Sequence, residues 1–224
     1  VMVADIDLEA ANRTVEQINS QGGKAQAMLA DLGSTADGQK AVQAAVKAFG
    51  SLDILANNAG IYPMSPALKI SEELWDRIHS INLKGLLFYS QAAAQEMKRG
   101  GHGGKIINIA SEAGIHPSGG GPTYDASKGG VIMLTKSLAL EFARYGILVN
   151  AVAPGGIITH GNQAQAAAMG MTVQDMVEGY VERVPLRRIG EPDDIAKVVL
   201  FLASVAADYM TGSLILVDGG HLLS

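Results

Sequence analysis

The sequence predicts an α/β fold, a doubly wound parallel sheet with helices on both faces and three layers in all. Three observations predict it. Short strand-like runs alternate with longer helix-like segments along the whole chain. The strand-like runs are apolar throughout, as strands covered on both sides must be. Turn residues separate the segments, with 27 glycines among 224 residues.

The elements follow in order. Val1–Asp5 reads as a buried strand, and Asp7 can cap a helix that runs to about Gln21, where Gly22 and Gly23 stop it. A short strand is expected near Lys24–Ala30. Ser34 can cap the next helix, whose Val42, Ala45, Val46 and Phe49 share one face. Leu52–Ala56 is a further buried strand. Ser71 caps a long helix with Glu72 and Glu73 in its first turn, where acids suit the macrodipole, and Gly100–Gly104 ends it. Lys105–Ala110 is a strand, followed by a loop rich in Gly, Pro and Ser that reaches about Pro122. A helix covers roughly Thr123–Arg144, and Ile147–Ala153 is a buried strand. The stretch from Pro154 to Gly190 is irregular with helical patches. Pro192 suits the first position of a helix that reaches Ala203, and Ser213–Val217 closes the sheet. No internal repeat and no linker divides residues 1–224, so one domain is expected.

Composition narrows the function. The chain is 48% hydrophobic and 17% charged with a net charge of −5, and its basic residues are scattered. A nucleic-acid or anionic-membrane partner needs a concentrated positive face. No apolar stretch reaches the roughly 18 residues a membrane span needs. There is no cysteine, which excludes disulfides and thiolate metal sites. The five histidines (His79, His102, His116, His160 and His221) are dispersed, with no HExxH pair, so each is expected at the surface or in a loop and no metal site is expected. The chain starts at Val and shows no signal-peptide pattern.

The residues that carry chemistry begin with Tyr124 and Lys128, four apart on one helix face. An ammonium ~5 Å from a phenolate interacts with it by ~3 kcal/mol at an effective dielectric of about 20. That draws a phenol toward neutrality and lets it give a proton to a nascent alkoxide or take one from an alcohol. Alone, the pair is a weak signal. Ser111 strengthens it, because it ends the strand Ile106–Ala110, on the side where ligands of α/β sheets gather, and can hydrogen-bond a substrate oxygen. It can equally be a turn serine. Asn82 is a poor helix residue in an apolar setting, which suggests a backbone or water contact or a core hydrogen bond. Asn57-Asn58-Ala59-Gly60 and Pro154-Gly155-Gly156-Ile157-Ile158-Thr159 place small and polar residues at the carboxyl ends of two strands, where a ligand can approach the backbone; either can also be an ordinary turn. Two other patterns carry nothing. Gly100–Lys105 precedes a strand and lacks the spacing of a phosphate loop, and no GxSxG elbow surrounds Ser111.

In this order, NNAG (Asn57–Gly60), Asn82, Ser111, Tyr124/Lys128, PGxIxT (Pro154–Thr159) and the closing Val217-Asp218-Gly219-Gly220 resemble the short-chain dehydrogenase/reductase family over essentially the whole chain. The resemblance implies a Rossmann-like sheet and an NAD-dependent oxidoreductase that interconverts a secondary alcohol and a ketone. It implies roles residue by residue. Tyr124 is the acid/base, Lys128 lowers its pKa and holds the nicotinamide ribose, Ser111 orients the carbonyl, and Asn82 supports a relay water. Asn57, Ala59 and Gly60 line the adenosine side of the cofactor cleft. Pro154, Gly155, Ile157 and Thr159 flank the nicotinamide. Asp5 accepts from the adenosine ribose and repels a 2′-phosphate, with no basic neighbour to offset it, which favours NAD over NADP. Asp5 can otherwise only start a turn with Asp7. Asp31 and Leu32 would meet the adenine, unless Asp31 simply caps the next helix. The pocket should include Ile61, Tyr62, Glu112, Ala113, His116, Gly155 and Gly156, with residues 160–185, within a broader 155–190 segment, as a lid. Glu112 and His116 hint at a polyol or sugar-like substrate. A cytoplasmic homotetramer is implied, paired through the helices of Asn82 and Tyr124 and the last strand.

The sequence departs from the family at one place. The TGxxxGxG turn that binds pyrophosphate at a helix N-terminus is absent, and its strand would lie before Val1, in mid-sheet between the strands at Val1 and Leu52. Two strand edges then lack partners, each lost buried bond costing on the order of 1–3 kcal/mol. An N-terminal extension of roughly 30–40 residues is therefore expected in the physiological protein. Two alternatives stand beside the enzyme: a non-catalytic subunit that keeps the fold for binding or oligomerisation, and an epimerase or dehydratase that uses the same Tyr/Lys pair.

Overall fold

The structure is a computed structural model that describes residues 1–159, 161, 166–167 and 170–224. Among the described residues six strands run in parallel pairings: β1 (Met2–Asp5), β2 (Gln26–Leu29), β3 (Ile54–Asn57), β4 (Gly104–Ile109), β5 (Ile147–Pro154) and β6 (Leu214–Val217). The helices are α1 (Leu8–Ser20), α2 (Thr35–Phe49), α3 (Glu72–His79), α4 (Leu86–Gly100), α5 (Pro122–Phe142), α6 (Val173–Val181) and α7 (Pro192–Ala203). Strand–helix alternation gives the expected three-layer arrangement.

The sheet is broken in one place. β1 pairs with β2, β3–β4–β5–β6 form a second sheet, and no described strand bonds to the outer edge of β1 or of β3. At the free edge of β3, Ile54 is left 46% exposed.

The four-stranded sheet carries the core on both faces. Period-two alternation sends Ile106 and Val149 to the face covered by α2, α4 and α5, where they meet Met97 and Leu138. Ile107 and Val152 turn to the other face, against Leu202 of α7. A buried polar chain ties the layers. Asn57 Nδ2 donates to Ser90 Oγ and Asn108 Oδ1, both at 2.9 Å, and Asn108 Nδ2 donates to Thr135 Oγ1 at 2.9 Å. These bonds link β3 and β4 to α4 and α5, and every member is partnered, as burial demands.

Helix ends follow the sequence with one exception. Asp7 caps α1 by accepting from the Glu9 and Ala10 amides, each at 3.0 Å, and Ser71 caps α3 through the Leu74 amide at 3.2 Å. Ser34 occupies the N-cap position of α2 but makes no side-chain capping bond. The long helix expected from Ser71 to Gly100 is interrupted by a π-helical stretch, Ser80–Gly85, between α3 and α4. Gly85 ends that stretch against the turn after β2, where a Cβ would stand 2.0 Å from the Leu32 carbonyl oxygen. Only glycine permits that approach.

Candidate active site

Ser111 stands two residues after β4, and Tyr124 and Lys128 stand in the first two turns of α5, with Pro122 setting the helix start. The three side chains line one cavity of about 1690 Å³ over the carboxyl ends of β4 and β5. Tyr124 is packed edge-on against Tyr62, with ring centroids 6.4 Å apart. Ser111 Oγ accepts from the Ala113 amide at 3.1 Å and faces the same cavity as Tyr124.

Lys128 is buried, and its Nζ donates to the Ile109 carbonyl at 2.7 Å, 5.8 Å from the centre of the Tyr124 ring. Burial pulls the ammonium down to about 8. Burial also pushes the Tyr124 phenol above its ordinary value; the Ser111 hydroxyl acts against this, and the nearby Asp125 charge adds to it. The net direction is upward, set by burial, beside the lowering expected from Lys128. The desolvation that weakens the lysine charge also penalises the phenolate.

Asn82 lies in the π-helical stretch, where the wider turn aims its amide across to the loop after β3. Its Oδ1 accepts from the Ile61 amide at 2.9 Å, and its Nδ2 donates to the Ile61 carbonyl at 2.8 Å and to Ser127 Oγ at 3.1 Å. Ser127 Oγ in turn donates to the Tyr124 carbonyl at 2.7 Å. Asn82 therefore clamps the loop carrying Tyr62 to the helix carrying Tyr124. Gly60 passes beside it, where a Cβ would lie 3.3 Å from Asn82 Oδ1 and 3.6 Å from Lys128 Nζ.

Ala59, Gly60, Pro154, Gly155, Ile157 and Thr159 line the cavity with Tyr124 and Lys128. Glu112, Ala113, His116, Tyr62 and Gly156 also line it. Several expected residues do not. Asn57 turns into the core network, and its neighbours Ala56 and Asn58 face the cavity instead. Strand alternation requires this, since Asn57 shares the face of Leu55, which packs on the core. Ile61 is absent from the wall because its backbone is held by Asn82. Asp5, Asp31 and Leu32 are also outside the cavity. Asp5 Oδ1 accepts from the Asp7 amide at 2.9 Å, and Asp31 Oδ1 from the Gly33 amide at 2.8 Å, so both carboxylates close turns.

The lid expected over 160–185 lies partly outside the described residues, including His160, Asn162, Gln163, Ala164, Gln165, Ala168 and Met169. In the described part, α6 starts with a capping box between Thr172 and Asp175. Its Tyr180 reaches the cavity, where the hydroxyl accepts from the Gly156 amide at 2.6 Å. Burial pushes that phenol up to about 12. His221, expected in a plain surface loop, lies on the cavity wall with Nδ1 3.0 Å from Glu112 Oε2. The sequence gives no local sign of Tyr180 or His221, which approach Glu112 only through the tertiary fold.

Residues 1–221 match the family model described as enoyl-(acyl carrier protein) reductase. The chain is 38% identical to 2-dehydro-3-deoxy-D-gluconate 5-dehydrogenase of Dickeya dadantii over 220 residues, 98% of this chain and 85% of that one. A short-chain type dehydrogenase/reductase from Mycobacterium marinum matches with a TM-score of 0.93 at 33% identity, over 100% of this chain and 86% of that one. The chain belongs to the short-chain dehydrogenase/reductase family. It is an NAD(P)-dependent oxidoreductase of CH–OH groups. A gluconate 5-dehydrogenase from Burkholderia cenocepacia, solved in complex with NADP and tartrate, matches this dehydrogenase with a TM-score of 0.90 at 32% identity, over 100% of this chain and 85% of that one. Among the described residues, no helix is long and apolar enough to cross a membrane.

Proposed function

We propose that residues 1–224 act as one domain that interconverts a secondary alcohol and a ketone with NAD, using Tyr124 as the general acid/base. The observation that carries the reading is the convergence of Ser111, Tyr124 and buried Lys128 on one large cavity beside the small residues Gly60 and Gly155.

The residues present suit the nicotinamide-riboside half of a dinucleotide. Lys128 has three protons to donate and bonds the Ile109 carbonyl with one, which leaves two for ribose hydroxyls. Ala59, Gly60, Pro154, Gly155, Ile157 and Thr159 form an open wall with little side-chain bulk near the strand ends. A bound dinucleotide supplies the hydride acceptor in oxidation and the hydride donor in reduction. The chain's own residues handle the proton. In the ligand-free site Tyr124 is protonated, the form that gives its proton to the oxygen of a ketone. In the reverse direction the phenolate takes the alcohol proton, and the Lys128 ammonium, charged below about pH 8, favours that form. Ser111 donates to the same substrate oxygen and fixes its direction. Asn82 keeps Tyr62 and Tyr124 in register through Ile61 and Ser127.

NAD is preferred over NADP because the Asp5 carboxylate, at the end of β1, would repel a 2′-phosphate brought near it, and Ile6 and Asp7 add no cation. The small-molecule partner is an alcohol or ketone. A homotetramer is supported by apolar surface on α5, where Met133 is 61% and Leu140 84% exposed. Absorbance at the NADH band, followed with a panel of alcohols and a Tyr124→Phe control, tests the reading. Substrate-dependent NADH formation that disappears in the variant supports it, and formation that survives in the variant overturns it.

A further inference from the structure

Glu112 is next in sequence to Ser111, and two side chains from distant elements fix its carboxylate. His221, in the turn after β6, sits with Nδ1 3.0 Å from Oε2. The Tyr180 hydroxyl, from α6, donates to Oε1 at 3.4 Å while it accepts from the Gly156 amide at 2.6 Å. The Tyr180 and His221 rings lie 4.6 Å apart at a 52° tilt. All three side chains line the cavity that holds Tyr124. Neither member of this contact is sealed, for His221 and Glu112 keep 18% and 16% of their side-chain surface open.

A carboxylate offers roughly four acceptor sites, and the two partners occupy two of them. The remaining acceptors stand one residue from Ser111, beside the place where the reacting oxygen must lie. A hydroxyl on the next carbon of a substrate can donate to them. An alkyl group there leaves the remaining acceptor sites desolvated and unfilled, and a carboxylate there meets like charge.

We propose that Glu112, held in place by His221 and Tyr180, binds a second hydroxyl on the carbon adjacent to the reacting one, so that the enzyme selects vicinal diols of the polyol class over simple secondary alcohols. The inference rests on the reading of this cavity as an alcohol-dehydrogenase site. Glu112 touches the substrate. His221 and Tyr180 are positioning residues that fix the carboxylate from both oxygens.

A matched pair of substrates tests this. Butane-2,3-diol and butan-2-ol differ by one adjacent hydroxyl, and the readout is the ratio of their kcat/KM values with the full chain. The ratio should exceed about 10 in the wild type and fall by roughly 10–150-fold in Glu112→Gln, the worth of one hydrogen bond to a charged group. His221→Asn should lower the same ratio, mainly through KM for the diol. A purely structural role for the pair would lower both substrates alike and leave the ratio unchanged, which overturns the proposal. Equal use of both substrates by the wild type overturns it as well, and leaves the alcohol-dehydrogenase reading intact. Saturation-transfer NMR with butane-2,3-diol separates the two ideas when turnover fails. With no NADH formed from either substrate, a diol signal that is lost in Glu112→Gln supports the carboxylate as a diol site. No signal, or a signal that persists in the variant, overturns the proposal and leaves the oxidoreductase reading to the wider alcohol panel.

Discussion

The two sheets use their polar side chains in opposite ways. In the β3–β6 sheet, Asn57, Asn108 and Thr135 bond across three elements in a sealed network, and Asn82 binds Ile61 and Ser127 from the adjoining helix. In the β1–β2 sheet, Asp5, Asp7 and Asp31 are exposed and accept from amides two or three residues away. A sealed bond that is removed leaves a buried partner without water, whereas an exposed one exchanges for solvent. The reacting end of the site is therefore fixed before any ligand arrives, and the other end keeps carboxylates that can change partners cheaply. Substitutions around the β3–β6 sheet should cost rate or several kcal/mol of stability, and those around the β1–β2 sheet should cost little stability and act mainly on selectivity.

The largest effect belongs to Tyr124→Phe. The ring and its contact with Tyr62 are kept, and only the proton-carrying oxygen is lost. The expected loss in kcat/KM is about 10²–10⁴-fold, the usual contribution of one general acid/base. Steady-state kinetics with saturating NAD measure it, and a variant that keeps a tenth of the activity removes Tyr124 from the mechanism.

Asn82→Ala follows. It strips both backbone groups of Ile61 of their partner, and each such group costs on the order of 1–3 kcal/mol when buried. A destabilisation of about 2–5 kcal/mol is expected from urea unfolding midpoints. Asp7→Ala, which removes the exposed cap of α1, should cost about 1 kcal/mol by the same method. Equal losses from the two would erase the contrast between the sheets.

Lys128→Met is expected to move activity and stability in opposite directions. Burial lowers the ammonium in the native state from 10.5 to about 8. The charge therefore opposes folding, fully below pH 8, and that cost vanishes as pH rises to the unfolded value. At about 1.4 kcal/mol per pH unit of displacement, the variant should be more stable than the wild type by up to about 3 kcal/mol at pH 7. The gain should shrink steadily between pH 8 and pH 10 in thermal melts, while turnover is lost. A gain that does not change with pH would show that the lysine pKa is the same in the native and unfolded protein, so that burial does not depress it.

Much of this was legible from the chain. Strand–helix alternation reads directly into the layers, and the spacing of Ser111, Tyr124 and Lys128 places them on one wall because a strand end and a helix start have fixed periods. Asn82 stood out as a misfit in a helix, but its cause, a π-helical stretch, has no period that a sequence displays. The choice between Asn57 and Asn58 was available from period-two counting out of Leu55. The cluster around Glu112 was not available. Its partners lie 68 and 109 residues away, and nothing local distinguishes His221 from the other dispersed histidines. The sign of the Tyr124 shift was hidden for a related reason. A charge four residues along is visible in sequence, whereas the burial that outweighs it belongs to the packed cavity.

The smallest change tests the β1–β2 half. Asp5→Asn keeps an oxygen that can accept from the Asp7 amide, so the turn after β1 survives and the unfolding midpoint should stay where it is. Only the charge goes. With it goes the repulsion that the carboxylate at the end of β1 directs at a 2′-phosphate, and the ratio of kcat/KM for NADP to that for NAD should rise by about tenfold, as one surface-exposed charge interaction allows. A rise in the ratio without loss of stability makes Asp5 the cofactor-selecting group on an otherwise tolerant turn. An unchanged ratio reduces it to the turn residue that its bond to Asp7 already describes.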